Sequence, residues 1–461
     1  MFSEARAQRV TQFIECLRHT KGAFHGQPFK LLPWQEKIVR DVFGTVRDDD
    51  PNMRQYNTAY IEIPKKNGKA LDLFTLIPTP DGWKTMGELK VGDTVFDERG
   101  MATAVVATSE IITNEDCYKL TFRDGSAIVA GANHQWPVEV YYKKGEPRIM
   151  TSEEIYNLHV RHKRSHAGTA DANRSVIRIP VARPLELPDA ELPVDPYLYG
   201  YWLGNGSSKD RVITVRDSDC EDVRARIPYE PINVRHQPGS YLVRYAELKP
   251  VLVDNFREKS IRPEYLRASE AQRWALLQGL MDSDGCISTV KSQSVYVSTV
   301  KRLAETVREL LWSLGIKNAM QEEASTRYGK PTGEVLYVIR FTTFDDQPTS
   351  GLERKMIRKR ERVKQTRSCF HYLESIEKLN ERRPIKCIQV DSPSHCYLAG
   401  PSMVPTHNSE LGAAIALNML CNDDEWRAEV YSCASDRQQA GIVFDVACDM
   451  VRQSPALSRR R

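Results

Sequence analysis

Val404-Pro405-Thr406-His407-Asn408-Ser409 stands directly before Glu410-Leu411-Gly412-Ala413-Ala414-Ile415-Ala416-Leu417-Asn418-Met419-Leu420. The second stretch is rich in Ala and Leu and reads as a helix opening on Ser and Glu. An Asn ahead of a hydroxyl residue has a specific chemical option. Its side-chain amide can attack its own backbone carbonyl, form a succinimide and break the chain after Asn408. His407 supplies the proton transfer such a step needs, and Ser409 offers a hydroxyl able to carry an acyl group. As a bare tripeptide, His-Asn-Ser is a loop. A second place in the chain singles this one out.

Thr58-Ala59-Tyr60-Ile61-Glu62-Ile63 reads as a short strand, followed by the polar loop Pro64-Lys65-Lys66-Asn67-Gly68-Lys69. A strand and a loop ending in Gly-Lys anticipate a Ser or Thr and then a helix. Backbone N–H groups of such a loop cradle phosphates, the Lys reaches the terminal phosphate and the hydroxyl takes Mg²⁺. Here Ala70 follows instead, and Leu76 to Trp83 is turn-rich. Joining Lys69 to Ser409 restores Gly68-Lys69-Ser409 and the helix together, which marks residues 70–408 as an insertion. Alone, Gly68-Lys69 would read as a surface turn, and Ile63 stands where such a loop usually has its first glycine. Upstream, Leu32-Pro33-Trp34-Gln35-Glu36-Lys37-Ile38-Val39 has apolar residues at helical spacing behind a proline at a helix start.

The 461 residues, at about 100–200 per domain, predict two to four domains. With 41% hydrophobic and 27% charged residues, and 25 each of Gly and Pro, the chain is not collagen-like, disordered or membrane-spanning. A net charge of +4 confines any nucleic-acid contact to local clusters. Ten cysteines without a CxxC pair read as thiols of a reducing compartment, one or two of them reactive. The start, Met1 to Arg6, has no apolar signal core, so a soluble intracellular protein is expected.

Joined, the flanks resemble the large terminase subunit of tailed phages. The resemblance rests on Leu32 to Gln35, on Ile63 to Lys69 with Ser409, and on Glu429-Val430-Tyr431-Ser432-Cys433-Ala434-Ser435-Asp436-Arg437-Gln438-Gln439-Ala440. It implies that Gly68, Lys69, Ser409 and Gln35 bind ATP and Mg²⁺ once Lys69 and Ser409 are joined, with Gln35 reading adenine. It also implies phage DNA, the small terminase subunit and the portal as partners, in the cytoplasm of an infected or lysogenic bacterium. No acidic strand end for Mg²⁺ lies between Ser409 and Arg461, so the ATPase portion is expected to be incomplete.

The insertion resembles an intein. Asp81-Gly82-Trp83 and Met86 to Val95 fit the opening pattern, and Asp124-Gly125 through His134-Gln135-Trp136-Pro137-Val138 the internal histidine motif. Cys387 to Gly400 and Val404 to Asn408 fit the closing motifs. Ordinary inteins begin with Cys or Ser; Ala70 cannot attack a peptide bond. Trp136, Cys387 and Thr406 match the triplet of class 3 inteins, in which the internal Cys opens the Lys69–Ala70 bond. The resemblance implies thioester formation on Cys387, acyl transfer to Ser409 and cyclisation of Asn408, with no cofactor. His134 would protonate the departing Ala70 nitrogen and His395 would assist the Asn408 end, while Trp136 and Thr406 position and pack. Many inteins have a Thr three residues before the histidine; here that residue is Gly131. Lys386 is adjacent and is expected to lower the Cys387 pKa. Read alone, Cys387 would be a small buried hydrophobe.

Within the insertion, Leu198-Tyr199-Gly200-Tyr201-Trp202-Leu203-Gly204-Asn205-Gly206 and Leu277-Gln278-Gly279-Leu280-Met281-Asp282-Ser283-Asp284-Gly285 are similar stretches. Both read as helix ends with a small residue, Gly200 or Gly279, in the packing face. They resemble the LAGLIDADG homing endonucleases, which implies DNA as partner and Mg²⁺ at Asp284 and Asn205. A neutral amide is a poor ligand for a hard cation, so reduced or lost cleavage is expected. Arg161-His162-Lys163-Arg164-Ser165-His166 and the run Arg354 to Arg367 read either as phosphate contacts or as solvated faces. Lys291 is one candidate for an active-site lysine. Thr299 to Gly315 reads as an amphipathic packing helix.

The expected fold is therefore multidomain. A β-rich Hint splicing domain occupies 70–165 and 380–408, an α+β LAGLIDADG domain 190–350 and a basic linker 351–379. Two pieces of an α/β P-loop ATPase, 1–69 and 409–461, flank them.

Overall fold

The computed structural model describes residues 2–18, 31, 33–50, 53–56, 70–140, 147–288, 293–327, 330–344, 347–358, 369–407, 448 and 451–452. Two compact units divide the chain: Met1–Asn67 with Ser392–His395 and His407–Arg461, and Gly68–Asp391 with Cys396–Thr406. In the first, helices Glu4–Cys16 and Pro33–Gly44 lie against each other, and Ala7, Val10, Val39 and Phe43 are buried. The second of these is the helix expected behind Pro33. The anticipated strand at 58–63, the loop with Gly68 and Lys69, and the helix from Ser409 lie outside the described residues, as do Asn408 and Lys291.

The second unit carries a large sheet. Its order is Ile385–Lys386, Leu71–Asp72, Ala127–Gly131, Cys117–Phe122, Phe370–Lys378, Ile177–Pro180, Gln135–Val140, Val404–His407 and Cys396–Ala399, with Pro147–Thr151 beside Gln135–Val140. The strands follow the period-2 rule: Tyr118, Leu120 and Phe122 turn inward while Lys119 faces water. One expectation is corrected here. Residues 351–379 are not a linker throughout, because Phe370–Lys378 is a strand of this sheet with His371, Leu373 and Ile376 buried. The dense charge just before it masked this alternation.

Residues 196–352 form an α+β part around its own core. Helices Pro196–Asn205 and Glu270–Ser283 lie against each other. A three-stranded sheet (Val212–Arg216, Ser240–Arg244, Asn233–Gln237) and a four-stranded sheet (Gly285–Ile287, Ser294–Ser298, Lys330–Phe341, Asn318–Arg327) accompany them. The predicted amphipathic helix is Lys301–Ser313; it buries Leu303, Val307, Leu310 and Leu311 and ends before Gly315, whose φ is 67°. Polar ties join this part to the strand-rich part. The Arg267 guanidinium donates to the carbonyls of Thr79 (3.0 Å) and Gly82 (3.1 Å) and to Glu309, which also accepts from Trp83 Nε1 at 2.8 Å. Arg273, fully buried, donates to the Leu185, Ala268 and Ser313 carbonyls. A buried guanidinium persists only when its donors are taken up in this way.

Candidate functional site

Sheet register assembles the first site. Leu71 pairs with Lys386 and with Ala130, and Cys117 with Gly131. Continued by one residue, Ala70 falls opposite both Cys387 and Gly131, and the Gly131 N–H donates to the Ala70 carbonyl at 2.9 Å. Cys117, Gly131, Ala70 and Cys387 therefore form one row across four strands, with side chains on one face. Ala70, Cys117, Ile385 and Cys387 are fully buried and pack as one cluster. Lys386 does not serve Cys387. Alternation sends it to the opposite face, where Nζ donates to the carbonyls of Gly87 (3.0 Å) and Leu89 (2.6 Å).

His134, Trp136 and Thr406 are brought together, all fully buried. Trp136 meets the His134 ring edge-on, with centroids 4.7 Å apart, and its Nε1 donates to Ser152 Oγ at 3.0 Å. His134 Nε2 hydrogen-bonds Thr406 Oγ1. Thr406 Oγ1 also lies 3.2 Å from the Gln135 carbonyl oxygen, so its one proton can go to that carbonyl or to His134 Nε2. With the Thr406 proton on the Gln135 carbonyl, Thr406 accepts from Nε2–H and the lone pair of neutral His134 is on Nδ1. Tyr397, which the sequence reading passed over, is fully buried. Burial, with the Cys387 thiol nearby, holds its phenol well above the ordinary range. In the other unit, His395 has a positive φ of 52° and its N–H donates to the Ser392 carbonyl at 2.9 Å, and His407 is buried at its strand's end.

The second site lies where the two long helices of the α+β part end together. A Cβ on Gly200 would sit 2.2 Å from the Leu276 carbonyl oxygen, and one on Gly279 2.2 Å from that of Tyr197. Only glycine allows the backbones this close. The same geometry puts Asp284 Oδ2 3.0 Å from the Cβ position of Gly204, beside Asn205, to which Tyr201 hydrogen-bonds. Burial pushes the Asp284 carboxyl up, and Lys259 and Lys355 pull it back.

Those two lysines were not foreseen. Lys259 Nζ donates to the carbonyls of Trp202 (2.8 Å), Leu203 (3.2 Å) and Gly206 (2.7 Å). Lys355 Nζ does the same at Met281 (2.7 Å), Asp282 (2.9 Å) and Gly285 (2.8 Å). Each ammonium caps one helix C-terminus with all three of its donors. Burial brings both pKa values down to about 8. The basic run from Arg354 is corrected accordingly: Lys355 points inward, and Arg354 forms a bidentate 2.5 Å pair with Asp219. In the other run, His162 is buried and bonds the Asp171 carbonyl, while Arg161, Lys163 and Arg164 are exposed.

For a divalent cation, the helix ends offer the Asp284 carboxylate and the Asn205 amide; the Asp282 carboxylate already accepts from Tyr197 Oη, Ser350 Oγ and the Gly351 N–H, and the nearest carbonyls accept from lysines. Among the described residues no group of three or more His, Cys, Asp or Glu is arranged to hold a metal. The donor set does not fit a two-metal cleavage centre. Among the same residues no helix is long and apolar enough to cross a membrane.

Residues 271–365 match the family described as LAGLIDADG-like domain. The chain is 36% identical over 396 residues to a replicative DNA helicase DnaB of Mycobacterium intracellulare, a match over 82% of this chain and 63% of the relative. Residues 1–69 and 409–461 are about a quarter of the chain, so that match necessarily extends into residues 70–408. The chain is also similar to the MchDnaB-1 intein crystal structure (17% identity, 74% of this chain, 100% of that one, TM-score 0.25). A third similarity is to I-DmoI in complex with DNA and Mn (17% identity, 32% and 89%, TM-score 0.21). None of the relatives reported is a terminase, and the terminase reading of the flanks receives no support from them. Over residues 271–365 the chain carries a LAGLIDADG-like domain.

Proposed function

We propose that the chain is a self-splicing precursor that excises residues 70–408 and joins Lys69 to Ser409. The observation carrying this reading is the row that sets the Cys387 thiol opposite Ala70, a residue with no nucleophile of its own. Cys387 Sγ attacks the Lys69 carbonyl carbon; the Lys69–Ala70 C–N bond breaks, and the thiol proton ends on the Ala70 amine. His134 Nδ1 carries that proton, its ring fixed by Thr406 and Trp136. Ser409 Oγ then displaces the thiol from the acyl group. The Asn408 amide nitrogen closes on its own carbonyl, releasing the Ser409 amine, and an O-to-N shift leaves a Lys69–Ser409 amide. His407 and His395 are assigned to the Asn408 step. No cofactor enters.

The joined flanks are proposed to complete a phosphate-binding loop, Gly68-Lys69-Ser409, for ATP and Mg²⁺, with Gln35 on the Pro33–Gly44 helix. The joined host protein is proposed to bind nucleotide. Mass spectrometry of purified chain tests the splicing reading: fragments of about 39 and about 14 kDa are expected, scaling the 52.6 kDa chain by length. Intact chain that persists in reducing buffer at neutral pH would overturn it.

A second reading concerns the LAGLIDADG-like domain. Asn205 opposite Asp284 favours DNA binding with impaired cleavage. On duplex DNA encoding the joined flanks, with Mg²⁺ present, the parent chain is expected to shift the duplex without cutting both strands. Asn205→Asp should raise cleavage at least about tenfold. Efficient double-strand cutting by the parent would dismiss this view.

A further inference from the structure

The row beside Ala70 has a gap, since Gly131 contributes no side chain. A Cβ there would lie 2.7 Å from Glu115 Oε1 and 2.9 Å from both Glu115 Cδ and Ile385 Cδ1. The place is occupied, and by a carboxylate arriving from the stretch just before the 117–122 strand. Glu115 Oε1 accepts from the Asn133 backbone N–H at 3.0 Å and from Asn133 Nδ2 at 3.3 Å. The Glu115 carbonyl in turn accepts from Cys117 Sγ at 3.6 Å. Asn133 sits in the tight turn whose His134 N–H donates to the Gly131 carbonyl at 3.0 Å. At the turn's start, the Gly131 N–H holds the Ala70 carbonyl. One carboxylate thus braces the turn joining the junction residue to His134.

We infer that Glu115 is a positioning residue for the first bond-breaking step: its carboxylate fills the space left by Gly131 and fixes the 131–134 turn, and through it His134, against Ala70. Burial pushes the Glu115 carboxyl up while the Asn133 donors pull it down, as for an acceptor held partly out of water. The role needs an oxygen acceptor of the right length and no charge.

This inference rests on the splicing reading, and the test separates the two. The parent chain, Glu115→Gln, Glu115→Ala, Gly131→Ser and the double variant Glu115→Ala/Gly131→Ser are followed for two rates. One is formation of the hydroxylamine-sensitive branched thioester, and the other is cleavage after Asn408. A parent that never yields a ligated product sinks the splicing reading itself. Given splicing, Glu115→Ala is expected to slow thioester formation by about 10²-fold, the scale of a small misplacement, with Asn408 cleavage and thermal midpoint little changed. Glu115→Gln should stay within about fivefold of the parent. Gly131→Ser should slow the step by steric conflict with Glu115, and the double variant should regain at least about tenfold over Glu115→Ala. Parent-like thioester formation by Glu115→Ala overturns the inference. So does an equal loss in Glu115→Gln, or a loss accompanied by unfolding in every variant.

Discussion

Cys387→Ala is expected to leave the Lys69–Ala70 bond intact, so that no ligated product forms. Ala70 presents a methyl group, and the row opposite it offers the Cys387 thiol. Removing a nucleophile that has no substitute costs on the order of 10⁴-fold or more in rate. The variant is well tolerated sterically, because the lost sulfur sits in a small apolar cluster with Ala70, Cys117 and Ile385. Chain cleavage after Asn408 should continue at a reduced rate, since that cyclisation uses the Asn408 amide and needs no thiol. Electrophoresis and intact mass distinguish the outcomes: persisting precursor with some release of the C-terminal flank is expected. Ligated flanks at the parental yield would show that another group opens the bond. Cys117, in the same row two strands away, is then the residue to test. Burial raises its pKa, which lowers the fraction present as thiolate.

Gly279→Ala should destabilise the α+β part by about 2–3 kcal/mol, and Gly279→Val by more. The added Cβ would meet the Tyr197 carbonyl oxygen at 2.2 Å and the Tyr201 nitrogen at 2.7 Å, both backbone atoms that cannot rotate away. The helices must separate, which also loosens the capping by Lys259 and Lys355 around Asp284. Gly239→Ala is the matched control: its φ is +81° and nothing lies within 4 Å of the new Cβ, so only backbone strain of about 1 kcal/mol is expected. Urea unfolding of both variants checks the ordering. Equal midpoints for Gly279→Ala and the parent would mean that the helices are not in close contact.

Much of this was legible from residue type alone. Gly200 and Gly279 within apolar stretches announced close helix contact, and the spacing in Thr299 to Gly315 announced an amphipathic helix. Other features were hidden by their composition. The run from Arg354 looks uniformly basic, yet Lys355 is buried on helix-end carbonyls and Arg354 is paired with Asp219. A charge run does not reveal which of its members has a partner 70 or more residues away. Lys386 was misread for a related reason, since adjacency along a strand places neighbours on opposite faces.

What the linear chain settled by itself is covalent: Ala70 cannot attack, Asn408 precedes a hydroxyl residue, and Asn205 stands where Asp284 has its counterpart. Those facts belong to side-chain chemistry and need no neighbours. The tertiary structure decided proximity. It drew residues 70, 117, 131 and 387 into one row, oriented His134 through Thr406, and put the Glu115 carboxylate where Gly131 has nothing. Antiparallel pairing sets such rows by register between strands far apart in sequence, a relation that no single strand's pattern contains.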